Sequence, residues 1–272
     1  MRIGAIADLH VDRHESLTPK DYLMNLIEVV DAQQLDLLII AGDISNTFEL
    51  THNFITEFQQ MCRIPIRFIP GNHDFWTSEV HTSSKTILQR YMEMDACLMN
   101  RPYIINDRWA IVGNPAWYDH RYGDHERFSE ARIDRGKFKG ATWQDKEKIN
   151  WDYSDRSLSQ LAAAQARKDL ETLRDKQIIL VTHIVTHPRF VVPTPHRIFD
   201  FFNAFIGTRD FDELYQDFPI RYSIMGHVHF RKQIEEKGVR YICPCLGYPR
   251  QWRTPHISRE INDTLAIIEI ED

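Results

Sequence analysis

Eight residues in this sequence carry side chains suited to binding metal ions or moving protons: Asp8, His10, Asp43, Asn72, His73, His183, His227 and His229. Alone, each has an ordinary explanation. Asp43 after Gly42 fits a turn or a helix cap. Gly71-Asn72 is a common turn pair, and a lone His183 fits a hydrogen-bonded structural histidine. Together they form a pattern, because each group follows a short apolar run that reads as a strand. Five strand ends then present oxygen or imidazole donors, the donor types that suit first-row transition ions. Ligands in open α/β sheets gather at the carboxyl ends of strands. The five groups are therefore expected along one edge of one sheet, with His227 and His229, two apart, on the same side of a strand.

The elements that must carry these residues alternate along the chain. Ile3 to Ala7 reads as a strand ending in Asp8-Leu9-His10, and Leu35 to Ala41 as a buried strand ending in Gly42-Asp43. Ile64 to Ile69 reads as a third strand, after which Gly71 is expected to let the chain turn sharply into Asn72-His73-Asp74. Between them, Pro19 to Gln34 and Phe48 to Met61 have helical spacing, the first with Thr18 as N-cap and proline at the first helical position. Strand, helix, strand, helix, strand predicts a largely parallel sheet with right-handed crossovers. Further on, the spacing predicts a helix over Ser83 to Met94 and a hairpin of Tyr103–Ile105 with Trp109–Val112. A long helix over Arg156 to Asp175 is expected to turn Leu158, Leu161, Ala162, Ala164 and Leu170 inward. A short helix over Phe211 to Phe218 is expected, with strands over Ile178–Val181, Ile220–Met225, Val239–Cys243 and Thr264–Ile270. Two irregular segments, 115–155 and 187–208, interrupt the pattern. Their aromatics could wall a pocket or form a satellite core.

At Asp8-x-His10, Gly42-Asp43, Gly71-Asn72-His73-Asp74, His183 and Gly226-His227-x-His229, the sequence resembles the calcineurin-like metallophosphoesterases. All five blocks stand in the family's order and span residues 8 to 229. The resemblance implies a four-layer α-β-β-α sandwich and a single domain over 1–272, with 115–155 and 187–208 as insertions. It implies hydrolysis of a phosphomonoester or phosphodiester by a metal-bound hydroxide, with no covalent intermediate on the protein. Two cations about 3.5–4 Å apart can clamp phosphoryl oxygens and activate a water. By resemblance Asp43 bridges them, Asp8, His10 and His229 complete one site, and Asn72, His183 and His227 complete the other. His73 would face the substrate and stabilise or protonate the leaving oxygen. Asp74 would either orient the His73 ring or cap a turn. The donor set suits two Mn, Fe or Zn ions better than Ca²⁺.

Composition narrows the function classes. The 272 residues carry 33 basic and 39 acidic side chains, a net charge of −6, without a basic stripe for extended nucleic acid. The expected substrate is a small phosphoester, a nucleotide included. The segment Met1-Arg2-Ile3-Gly4 enters a strand directly, and no run approaches the ~20 apolar residues that span a bilayer. Cys62, Cys97, Cys243 and Cys245 form no CxxC pair and read as buried thiols, so a cytoplasmic setting is expected. His187 reads as an exposed loop histidine, and Arg189 and Arg197 as solvated cations that could bind phosphate. His14, His120 and His125 lack evident partners. Two rival readings are a protein phosphatase and a non-catalytic scaffold of the same fold. The scaffold reading is disfavoured because every ligand block is intact.

Overall fold

The run Leu37–Ala41 has no exposed residue, because it is covered on both faces, and the sheets are built around such strands. The computed structural model describes residues 1–77, 83–99 and 101–271. In chain order it contains β1 (Arg2–Ile6), α1 (Pro19–Ala32), β2 (Leu37–Ala41), α2 (Phe48–Met61), β3 (Ile66–Ile69) and α3 (Ser84–Glu93). Next come β4 (Tyr103–Ile104), β5 (Trp109–Gly113), α4 (Glu130–Ile133), β6 (Lys137–Phe138), β7 (Ala141–Thr142), α5 (Asp145–Lys148) and α6 (Asp155–Glu171). The chain closes with β8 (Gln177–Val181), α7 (Phe199–Phe202), α8 (Leu214–Asp217), β9 (Ile220–Ile224), β10 (Arg231–Glu236), β11 (Val239–Pro244), α9 (Ile257–Thr264) and β12 (Ala266–Glu269).

These strands make two main sheets. One has the order β12-β1-β2-β3, the other β10-β11-β9-β8-β5-β4. The centre of each is parallel, as right-handed crossovers require; antiparallel strands close both edges of the second sheet and one edge of the first, whose other edge is the parallel β3. Helices α1, α2 and α9 cover the first sheet and α6 leans on β5, giving the layered sandwich. Thr18 caps α1 as the sequence implies: its side chain accepts from the Asp21 amide, and Asp21 reciprocates to the Thr18 amide at 2.7 Å.

Three elements differ from expectation. Helix α6 buries Ser159, Ala163, Ala166 and Leu170, whereas Leu161 is exposed. Small residues at that seam let the helix approach closely, and Leu158, Leu161 and Ala162 line a surface cleft instead. Strand β10 went unanticipated because Arg-Lys-Gln-Ile-Glu-Glu is charged, as edge strands commonly are. Thr264 ends helix α9 and does not begin the last strand.

Candidate metal centre

The strand ends converge, but from two sheets and not one. β1, β2 and β3 deliver Asp8, His10, Asp43, Asn72 and His73; β8 and β9 deliver His183, His227 and His229. Hydrogen bonds sew the two edges together. The Asp8 carboxylate accepts the His227 amide at 3.0 Å, and His183 Nδ1 meets the Ala41 carbonyl at 2.9 Å. Asp8, His10, Asp43, His227 and His229 all have left-handed backbone, φ between 43° and 73°. So His227 and His229 lie in a turn beyond β9 and not along a strand. Strain of this kind costs roughly 1–3 kcal/mol per residue and gathers at functional sites. Gly71 serves by close approach and not by its turn, since a Cβ there would collide with the Asp43 carboxylate and lie 2.8 Å from the His183 ring. A Cβ on Gly226 would likewise meet Asp8 Oδ2 and His183 Nδ1, both at 2.8 Å.

The donor atoms face one another. His229 Nδ1 is 2.8 Å from Gln251 Oε1, His227 Nε2 is 2.9 Å from the Phe205 carbonyl, and His183 Nδ1 points at Ala41. These acceptors fix the outward N–H of each ring, so in the neutral ring the inward nitrogen carries the lone pair. His10 Nε2 and His229 Nε2 are 3.1 Å apart; Asn72 Oδ1 is 3.0 Å from His183 Nε2 and 2.9 Å from His227 Nδ1. An ion bound to two imidazoles at about 2.0–2.1 Å holds the nitrogens roughly 3.0–3.4 Å apart. The spacing and the facing lone pairs both fit bound cations. Three overlapping groups meet the distance requirement: Asp8–His10–His229, His10–Asp43–His73 and Asp43–His183–His227. Asp43 belongs to two of them.

Charge balance points the same way. Burial disfavours the charged Asp43, yet His183 and His73 outweigh it and hold the carboxyl well below its usual range. Burial likewise opposes a charge on His183, but Asp43 and then Asp8 raise it to about 10. A cation between Asp43 and His183 would take the place of that proton.

Of the two roles open to Asp74, its hydrogen bonds fit bracing a turn and not orienting His73. Its carboxylate accepts from the Ser45 amide at 3.0 Å, Thr51 Oγ1 at 2.6 Å and the Gly71 amide at 2.8 Å, tying the loop after β2 to the loop after β3. Burial, then the charge of Asp43, pushes it up to about 7. His73 Nδ1 pairs with Asn46 Oδ1 at 2.7 Å instead, and its ring stacks on Trp76 at 3.7 Å.

Asp145 escaped the sequence reading. It is buried, lies in segment 115–155, and accepts Asn72 Nδ2 at 2.9 Å, Trp76 Nε1 at 2.7 Å and Trp143 Nε1 at 3.0 Å. Both irregular segments thus reach the centre, one through Asp145 and the other through the Phe205 carbonyl. His187 is buried, not exposed; it caps a short turn by accepting the Arg189 amide and packs on Tyr241 at 4.3 Å. His120 pairs with Asp155 at 2.9 Å, away from the centre, and His125 meets the His120 carbonyl at 2.8 Å. His14 lines the cleft over the centre. All four cysteines are buried and free.

Two sheets whose carboxyl ends meet at a carboxylate between imidazole clusters define a metal-dependent hydrolase. The chain belongs to the calcineurin-like phosphoesterases, whose family pattern matches residues 1–231, and it is a phosphoric ester hydrolase. It is similar to the acyl-carrier-protein phosphodiesterase PptH of Mycobacterium tuberculosis, 25% identical over 239 residues, which cover 80% of this chain and 71% of the relative. The crystal structure of phosphopantetheinyl hydrolase PptH from the same organism superposes with a TM-score of 0.76 at 20% identity, covering 98% of this chain and 95% of that one. A dimetal phosphatase from Danio rerio superposes at 0.53 with 15% identity, covering 89% and 86%. Among the described residues no helix is long and apolar enough to cross a membrane.

Proposed function

We propose that this enzyme is a phosphodiesterase that cleaves a diester joining a phosphopantetheinyl-type arm to a protein. The observation that carries the reading is the likeness to PptH, which extends over 80% of the chain. The cleft supports it. It measures about 800 Å³, and cations and aromatics line it together, Arg13, Arg250, Tyr248, Trp76 and Trp143 among them. A diester has two arms to lodge, and a monoester has one.

In this reading Asp8, His10 and His229 hold one ion, Asn72, His183 and His227 hold the other, and Asp43 is shared. Mn, Fe and Zn are the ions the donors suit. When bound, the pair supplies charge to the phosphoryl oxygens and acidifies water. The chain's own residues do the rest. Asn46 fixes the His73 ring through Nδ1, leaving Nε2 toward the cleft to hold a proton at the leaving oxygen. Trp76 stacks behind that ring, and Asp145 anchors both Trp76 and Asn72. Asp74 braces the two ligand-bearing loops. Residues 1–272 act as one domain, with segment 115–155 lining the cleft through Thr142 to Asp145 and segment 187–208 supporting His227 through the Phe205 carbonyl, in a reducing compartment such as the cytoplasm.

The test strips the protein with chelator and adds back Mn²⁺, Zn²⁺, Ni²⁺ or Mg²⁺ singly. Substrates are p-nitrophenyl phosphate, bis-p-nitrophenyl phosphate and a phosphopantetheinylated acyl carrier protein. Metal-restored release of the arm from the carrier, with the diester favoured over the monoester, is expected. Preference for the monoester with no release from the carrier would overturn the reading.

A further inference from the structure

Beside the catalytic cleft, and meeting it at His229, lies a second groove of about 510 Å³. It runs between the start of segment 187–208, the edge strand β10 and the turn after β11. Among the described residues, four of its nine lining side chains are cations, Arg189, Arg231, Lys232 and Arg253, and none is a carboxylate. The chain as a whole has 33 basic and 39 acidic residues, so an average nine-residue surface would hold about one of each. This is the reverse of the molecule's net character, in a groove that shares His229 with the cleft.

Two of the four cations have carboxylate partners and two do not. Among the described residues Lys232 and Arg253, both exposed, make no ion pair; Lys232 Nζ donates to the Arg189 carbonyl at 2.5 Å and lies over the Phe190 ring. Arg189 is 59% exposed and meets Glu236 only at 4.0 Å. Arg231 is held by Glu260 at 2.6 Å, yet its Nη1 is buried without a hydrogen-bond partner. Val191, Pro193 and Phe230 add apolar lining. Cations beside apolar side chains suit an amphipathic acidic polypeptide. A nucleic-acid strand would call for stacked aromatic platforms along the groove.

We infer that this groove docks an acidic stretch of the protein that carries the scissile phosphodiester, guiding its modified side chain to His229 and the metal centre. The inference rests on the proposed phosphodiesterase reading and names the partner's chemistry. Opposite potentials of this kind set association rate and choice of partner.

The experiment compares the wild-type enzyme with the charge-reversed triple variant Arg189→Glu, Lys232→Glu, Arg253→Glu. Thermal melting and metal content establish that the variant is folded and loaded. On phosphopantetheinylated acyl carrier protein, kcat/KM should fall at least tenfold further than on bis-p-nitrophenyl phosphate, mainly through KM. In the wild type, raising salt to about 1 M, where the screening length is about 3 Å, should depress carrier cleavage selectively. Equal losses on both substrates, or no loss on the carrier, would overturn the proposal. A second measurement does not depend on turnover: fluorescence anisotropy of a labelled poly-glutamate peptide. Wild type should bind it at least tenfold more tightly than the variant does. No binding by the wild type, or tighter binding of a single-stranded oligonucleotide of equal charge, would overturn the acidic-polypeptide assignment. Carrier protein left uncleaved by a wild type that binds the peptide would instead count against the phosphodiester reading and leave the groove standing.

Discussion

The two halves of the proposed metal centre each combine an oxygen donor with two imidazoles, a carboxylate in one and an amide in the other, but are braced in different ways. Around Asn72, His183 and His227 the supports are buried or main-chain: the Asp145 carboxylate and the carbonyls of Ala41 and Phe205. Around Asp8, His10 and His229 they are sparser. The His227 amide donates to Asp8, but Gln251, an exposed side chain, holds His229, and among the described residues His10 Nδ1 is buried with no partner. Outer contacts orient ligands and typically change metal affinity 10–100-fold when removed. The better-braced half should therefore hold its ion more tightly, and the other half should exchange first. Sequential metal titration by calorimetry, with content measured by mass spectrometry, reads the difference directly.

The largest effect would erase the comparison altogether. Asp43→Ala removes the group common to both halves, and it is expected to lose both ions and all activity. Two tightly bound ions in that variant would sink the bridging role. Next is His73→Ala, which should retain both ions while turnover falls about 10²–10⁴-fold, the usual contribution of a positioned proton-transfer group. If that variant purified without metal, His73 would be a ligand, as its proximity to His10 and Asp43 allows.

Asp145→Asn should discriminate between the halves. The carboxylate accepts from an amide and two indoles, and an asparagine must turn its own NH₂ toward one of those donors. The orientation of Asn72 then loosens. Affinity for the ion beside Asn72 is expected to drop toward 100-fold, with the ion beside His10 little changed. An equal drop in both would mean that Asp145 supports the fold generally and not one half of the centre.

How much of this was legible in the sequence follows the same division. Donors at strand ends were readable because an apolar run breaks abruptly into Asp8, Asp43 or His183, and that break is local. Their braces were not. Asn46 meets His73 across 27 residues and Asp145 meets Asn72 across 73, and neither has a neighbourhood that marks it. The Phe205 carbonyl is main chain, so no residue type could have signalled it. Asp74 was left between orienting His73 and capping a turn because adjacency to His73 suggested a partner, and the turn of His73–Phe75 sends its carboxylate back to Ile44, Ser45 and Gly71 in the loops after β2 and β3 and to Thr51 in α2. Helix α6 was misread because large apolar residues were taken as the inner face, when Ser159, Ala163 and Ala166 form the tighter seam. One usable signal was missed: Lys237-Gly238 between two alternating runs is a two-residue hairpin turn, with both residues at positive φ.

The smallest expected effect is the most telling, because its sign can be reversed. Gln251 Oε1 accepts from His229 Nδ1 and also from the Tyr248 amide at 2.7 Å, so it sets both the ring and the turn that carries Tyr248 over His10. Gln251→Ala removes an exposed neutral acceptor that water can partly replace. The ion beside His10 should weaken by about tenfold, at the low end of outer-contact effects. Gln251→Glu keeps the geometry and adds a negative charge behind the imidazole, which makes the inward nitrogen a stronger donor. Affinity at the same ion should then rise above wild type. If alanine and glutamate both weakened binding equally, His229 would not be held through Nδ1, and the contrast between the two halves would have to be sought in the unpartnered His10 nitrogen alone.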